Sequence, residues 1–276
     1  MQDTEVMPRP SRWISPADAR QAIATGDGRG VRIGVLDTGI ELSHPGLASL
    51  RISDDIVIIE DDGQLIARAG GGIDVFGHGT AVAGIIHEIA PAAEICSLRV
   101  LDIGNAARSE TICEGARIAM DCGCHILNCS FGARLRQHVL MFKHWVDRAY
   151  LEGRHVIAAS NNEDYHRQEW PGDFSSVITV KMMNAPDPAL AYQNSPGTMV
   201  EFGAHGVNVR VAWKDGGSMV TSGSSFAAPR VTGLLARLLS VYPHLSSGEA
   251  KALLLRVAEP IPPGGGVMTG NNLNHV

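Results

Sequence analysis

The sequence predicts an α/β fold: a three-layer αβα arrangement around a mainly parallel sheet of about seven strands. Three observations carry that expectation. Short β-branched runs alternate with longer helical patterns. Most of the strand-like runs are almost continuously apolar, as strands covered on both faces are. No linker of shifted composition divides the 276 residues, so a single domain over 1–276 is expected, with an N-terminal extension at 1–12 and a loose tail at 260–276.

In chain order, a helical pattern at 16–24 precedes an apolar strand at 31–36 and a second at 56–59. Helix 80–89 leads to strand 95–100, helix 109–121 to strand 125–129, and helix 139–151 to strand 155–159. Strands at 177–180 and 207–211 follow, then helices at 226–241 and 246–258. Ser246 followed by Glu249 makes a capping box for the last helix. Beyond it, Pro-Pro-Gly-Gly-Gly and Asn-rich residues show no periodicity and read as coil.

Composition excludes several classes of function. Apolar residues make up 45%, charged 19% and aromatic 5%, ordinary for a globular protein and unlike a disordered or fibrous chain. With 23 basic against 29 acidic residues the formal charge is −6, which argues against binding duplex nucleic acid or anionic membrane by bulk charge. No run approaches the ~20 apolar residues of a membrane span. The start, Met-Gln-Asp-Thr-Glu-Val-Met-Pro, lacks a basic n-region and an apolar core, so a cytoplasmic location is expected. Cys96, Cys113, Cys122, Cys124 and Cys129 are odd in number and are expected to be free thiols. The C-x-C-x4-C spacing at 122–129 lacks paired C-x2-C hooks, so neither a metal site nor a cofactor is expected.

Three segments place a reactive side chain where a strand or loop meets a helix. Val-Leu-Asp-Thr-Gly-Ile (35–40) sets Asp37 at the carboxyl end of a strand, where ligands gather in open α/β sheets. Gly-His-Gly-Thr-Ala-Val-Ala-Gly (77–84) sets His78 between glycines at a helix start. Thr-Ser-Gly-Ser-Ser-Phe-Ala-Ala-Pro (221–229) sets Ser225 at the head of another helix, where free N–H groups and the macrodipole favour developing negative charge. Taken singly, an Asp at a strand end is more often a cap, a His between glycines is often structural, and Ser224 suits a helix cap. Taken jointly, a serine hydroxyl, an imidazole to accept its proton and a carboxylate to steady the imidazolium are the parts of a nucleophilic relay. Asp-Thr-Gly also resembles an aspartic protease triplet, but one copy supplies only half of the carboxylate pair.

From Trp13 to Val257 the chain resembles the subtilisin-like serine proteases (subtilases). The resemblance rests on the three segments above, in the order Asp, His, Ser, and it implies a subtilisin-like fold, endopeptidase activity and the triad Asp37, His78 and Ser225. Asn-Cys-Ser-Phe-Gly (128–132) is similar to the family's substrate-binding strand, which implies that Ser130, Phe131 and Gly132 lie along an extended peptide. Ala-Ala-Ser-Asn-Asn (158–162) resembles the block that supplies the oxyanion asparagine, aligned on Asn161 with Asn162 as the other choice. Trp-Pro-Gly (170–172) resembles the turn beside the primary specificity pocket, with Glu169 at its base. A carboxylate there favours Arg or Lys before the scissile bond, although Glu169 is equally readable as a solvated side chain.

The departures are Ala81 where a second histidine is usual, Ser160 where a glycine usually widens the pocket, and Gly46 where an acidic calcium ligand is usual. Only about thirty residues precede the first strand, too few for the family's inhibitory pro-domain, so either folding without it or its removal is expected. Because His78 must be neutral to act as a base, activity is expected to fall below roughly pH 6–7. Limited processing of a particular peptide or protein is the expected role, and a catalytically silent peptide-binding module is the competing one. The sequence leaves the oligomeric state open.

Overall fold

The computed structural model describes residues 13–164, 166–193 and 199–261. The extension expected at 1–12 and nearly all of the expected tail lie outside the described residues. Nine strands form one sheet: β1 (Arg32–Asp37), β2 (Arg51–Asp61), β3 (Gln64–Ala69), β4 (Glu94–Arg99), β5 (Ile126–Cys129), β6 (His155–Ala159), β7 (Ile178–Met183), β8 (Ala191–Gln193) and β9 (Phe202–His205). Their spatial order is β3-β2-β4-β1-β5-β6-β7-β9-β8. The seven from β2 to β9 run parallel, and β3 and β8 close the two edges antiparallel.

Strand alternation divides the apolar side chains between two cores. Ile33 and Val35 of β1 face one core with Ile95, Ile126, Ile157, Ile178 and Phe202. Helices α1 (Pro16–Thr25), α2 (His78–Ile89), α5 (Ser224–Val241) and α6 (Ser247–Val257) cover that side. Leu36, Cys96, Leu98 and Leu127 face the opposite core, under α3 (Ser109–Asp121) and α4 (Val139–Leu151), where Phe142 and Trp145 are buried. α1 and α6 both begin with complete capping boxes, Ser15 with Asp18 and Ser246 with Glu249.

Two expectations about strands change. The run expected at 207–211 as a sheet strand is β10 (Val209–Trp213), which pairs antiparallel with β11 (Gly217–Thr221) in a separate ribbon. Asp215 and Gly216, both with positive φ, turn the chain back on itself. The parallel place it was expected to fill belongs to β9, whose Phe-Gly-Ala-His carries little pattern. The hairpin β2–β3 turns on Asp62-Gly63, also both at positive φ. The ribbon β10–β11 packs on α2 through Val209, Val211, Ala81 and Ile85. The order β4-β1-β5 makes the carboxyl ends of β1 and β5 the point where the chain's direction of winding reverses.

Candidate active site

β1 ends at Asp37, whose carboxylate is fully buried. His78 opens α2 and directs Nδ1 onto Asp37, 2.8 Å from Oδ1 and 3.0 Å from Oδ2. With its Nδ1–H donated to the carboxylate, the neutral ring keeps its lone pair on Nε2. Burial depresses the imidazolium; the charge and hydrogen bond of Asp37 and the charge of Asp74 outweigh it, and the His78 pKa rises above 6.5.

Asp74, which sequence reasoning did not single out, locks this corner. Its Oδ1 accepts from the Thr38 hydroxyl at 2.7 Å and from the Phe76 and Gly77 amides; its Oδ2 accepts from the Thr80 amide and hydroxyl at 2.8 and 2.6 Å. Thr38 in turn accepts from the Gly79 amide at 3.0 Å. One buried carboxylate therefore satisfies the orphan donors at the head of α2 and ties that turn to the end of β1. Gly77 sits at φ 116° with the Trp213 indole where a Cβ would be, which confines that position to glycine. The legible signal is Asp-x-x-Gly just ahead of a helix, an acceptor followed by a turn.

Ser225 is the second residue of α5 and is half-buried. Phe226, the next residue, stacks its ring against His78 with centroids 5.3 Å apart. The Ser225 hydroxyl donates to the Ser130 carbonyl at 3.2 Å, and the Ser130 hydroxyl donates back to the Ser225 carbonyl at 3.1 Å. Asn128 donates to the Ser130 hydroxyl at 2.9 Å and accepts from Thr232 at 2.8 Å, so β5 and α5 are joined by a buried polar chain. Among the described residues, His78 Nε2 and the Ser225 amide make no hydrogen bond. Ser224 does not cap the helix by its side chain; its hydroxyl accepts from the Met182 amide at 3.1 Å and meets the Ser160 hydroxyl at 3.3 Å. Ser160 is thereby buried behind the site.

The two asparagines have different surroundings. Asn161 is buried: Nδ2 donates to Glu169 Oε1 at 2.6 Å, and Oδ1 accepts the amides of Glu163 and Asp164. Asn162 is exposed, and its Oδ1 accepts the Ser224 amide at 2.7 Å. Its Nδ2 lies 3.6 Å from the place where a side chain on Gly223 would begin. The Asn161 amide is thus committed to Glu169, whereas the Asn162 side chain lies at the turn that leads into α5.

Glu169 is 8% exposed, so it is not a solvated carboxylate. Its Oε1 accepts from Arg134 Nε at 2.7 Å as well as from Asn161, and its Oε2 packs on Gly132. Phe131 is half-buried and Gly132 exposed, and no backbone hydrogen bond among the described residues engages either amide. The adjoining Ala133 and Trp170 form a two-way antiparallel bridge, with a cis peptide bond between Trp170 and Pro171.

A family model described as the subtilase family (Peptidase S8) matches residues 28–274. A thermostable alkaline protease of Halalkalibacterium halodurans is 28% identical over 257 residues, covering 90% of this chain and 67% of that protein. Subtilisin DY of Bacillus licheniformis is 28% identical over 244 residues, covering 84% of each. Among solved structures, an S41 psychrophilic protease superposes with a TM-score of 0.70 at 25% identity, covering 82% of each chain.

Proposed function

Since the chain belongs to the subtilase family and is a serine-type endopeptidase, we propose that it cleaves extended peptide segments through Ser225, His78 and Asp37. Asn162, rather than Asn161, completes the oxyanion hole. The observation that carries this reading is His78 held by Nδ1 on the buried Asp37, with Nε2 unengaged beside the helix that bears Ser225. A rotation about χ1 takes the Ser225 hydroxyl from the Ser130 carbonyl toward Nε2, exchanging one neutral hydrogen bond of ~1 kcal/mol for another.

In the acylation step the Ser225 oxygen bonds to the scissile carbonyl carbon as its proton passes to Nε2. The oxyanion is received by the free Ser225 amide and Asn162 Nδ2. The imidazolium, steadied by Asp37, then protonates the amine as the C–N bond breaks, and water releases the acyl group by the reverse proton path. Unpaired amides at Phe131 and Gly132 support pairing with a substrate strand.

Finer features belong to the same proposal. A cationic side chain before the scissile bond is favoured through Glu169 Oε2, but weakly, because Arg134 and Asn161 already occupy Oε1. A segment beyond β5 with unpaired amides, which needs an extended substrate, suits limited processing of a loop or leader more than bulk digestion. Five unpaired cysteines suit a reducing, cytoplasmic compartment. Among the described residues no helix is long and apolar enough to cross a membrane.

A fluorophosphonate probe tests the mechanism. Wild-type protein is expected to label and Ser225→Ala is not. A correctly folded wild type that resists labelling sinks the assignment and favours the silent peptide-binding module, for which the Ser225 hydroxyl resting on Ser130 is the supporting observation.

A further inference from the structure

We propose that Asp54, Cys96 and Cys122 form a binding site for a divalent metal ion of the zinc class, at the end of the sheet remote from the active site. One carboxylate oxygen and two sulfurs lie within 4.8 Å of one another. Two sulfurs bound to zinc at ~2.3 Å stand roughly 3.8 Å apart, so closing the site needs only a small contraction.

Three residues remote in sequence are brought together by identifiable devices. The register between β2 and β4 passes from Ile52↔Ile95 directly to Asp54↔Cys96, so Ser53 is bulged out. A bulge re-aims the residues that follow it, and this one sets a carboxylate opposite a fully buried thiol. Cys122 stands just past the last turn of α3, and Arg32 Nη1 holds its carbonyl at 2.5 Å. Gly34, beside Cys96 on β1, leaves room for the Cys124 sulfur, 3.3 Å from where a Cβ would be.

The apo cluster is electrostatically unfinished. No hydrogen bond or ion pair among the described residues engages the half-buried Asp54 carboxylate. A bound cation supplies the missing partner: each coordinating thiol releases its proton to solvent as the metal–sulfur bond forms, and the Asp54 charge becomes favourable. Zinc-class ions suit mixed sulfur and carboxylate donors better than magnesium or calcium do, since those demand oxygen.

Sequence spacing pointed instead at Cys122, Cys124 and Cys129 and away from any metal. Cys129 lies elsewhere, paired with Leu36 at the Asp37 end of β1, whereas Cys96 faces Gly34 nearer its start. The proposed ion would therefore pin β2, β4 and the α3–β5 turn without touching the triad.

The test is metal binding by the full chain, reduced, stripped with chelator and titrated with Zn2+ or Co2+ alone. The expected results are one ion per chain by elemental analysis, intense visible cobalt bands of a tetrahedral thiolate site, and a melting temperature that climbs with zinc. Cys122→Ser and Asp54→Asn, both at half-buried positions, are each expected to weaken binding by more than the ~10–100-fold typical of outer-shell changes, with fluorophosphonate labelling retained. Failure to retain a stoichiometric ion, retention undiminished in Cys122→Ser, or a Cys96–Cys122 disulfide in protein purified without reductant overturns the proposal. Loss of labelling with metal binding intact speaks to the triad and leaves the metal site standing.

Discussion

Asn161 and Asn162 are adjacent and chemically identical, and only their partners separate them: the Asn161 amide donates to Glu169, and the Asn162 oxygen accepts the Ser224 amide at the head of α5. Asn162→Ala is expected to lower kcat by ~10²–10³ with KM little changed, as loss of one oxyanion donor does. Asn161→Ala is expected to act mainly on KM and on the preference for the residue before the scissile bond. The reverse pattern in steady-state kinetics returns the oxyanion role to Asn161. On the proposed mechanism His78 sets the acid limb. Burial lowers its pKa, but Asp37 and then Asp74 raise it further, so the neutral base is lost on descending through a pH above 6.5. Asp74→Asn removes one raising charge, and its kcat/KM profile is expected to shift the limb to lower pH; an unmoved limb refutes that role for Asp74. The proposed roles of Asp37, His78 and Ser225 come from their flanking segments, and the structure pairs the first two. The asparagine choice and Asp74 were not legible there, because each depends on what lies across a fold contact.

Elements with a local cause were legible. The capping box at Ser246 and Glu249 forms as expected, with reciprocal hydrogen bonds at the head of α6. Ser246→Ala is expected to cost ~1 kcal/mol, read as a lower urea midpoint at unchanged slope; an unaltered midpoint means the cap contributes nothing net. The hairpins β2–β3 and β10–β11 carried an equally local sign, Asp-Gly at 62–63 and 215–216, adopted at positive φ. β3 was missed because its side chains are mostly exposed and lack an apolar run, and β9 because its four residues are held by sheet neighbours more than by propensity.

At the scale of the whole molecule, two buried histidines give stability opposite dependences on pH. His155 is buried with Nδ1 lacking a hydrogen-bond partner, and burial, then the charges of His125 and Arg154, hold its pKa down at about 4. The unfolded chain takes up a proton near 6.5 that the fold refuses, so this contribution is full above 6.5 and is lost as pH falls toward 4. The raised pKa of His78 acts the other way: its imidazolium pairing stabilises below 6.5 and is lost as pH rises through the folded value. Of order 3 kcal/mol attaches to His155, so acid lability is expected between pH 6.5 and 4. His155→Phe should flatten the fall in urea stability between pH 7 and pH 5, and equal falls in the two proteins rule the idea out. The linear pattern by itself determined the layered parallel architecture, the family and the capped start of the last helix, because apolar period, caps and motif residues are properties of neighbours along the chain. Only the tertiary structure decided which strand fills the seventh parallel place, which asparagine holds Glu169 and which accepts the Ser224 amide, what neutralises Glu169 and which thiols gather around Asp54. Those outcomes turn on register and crossovers, which set charges and donors from distant segments side by side.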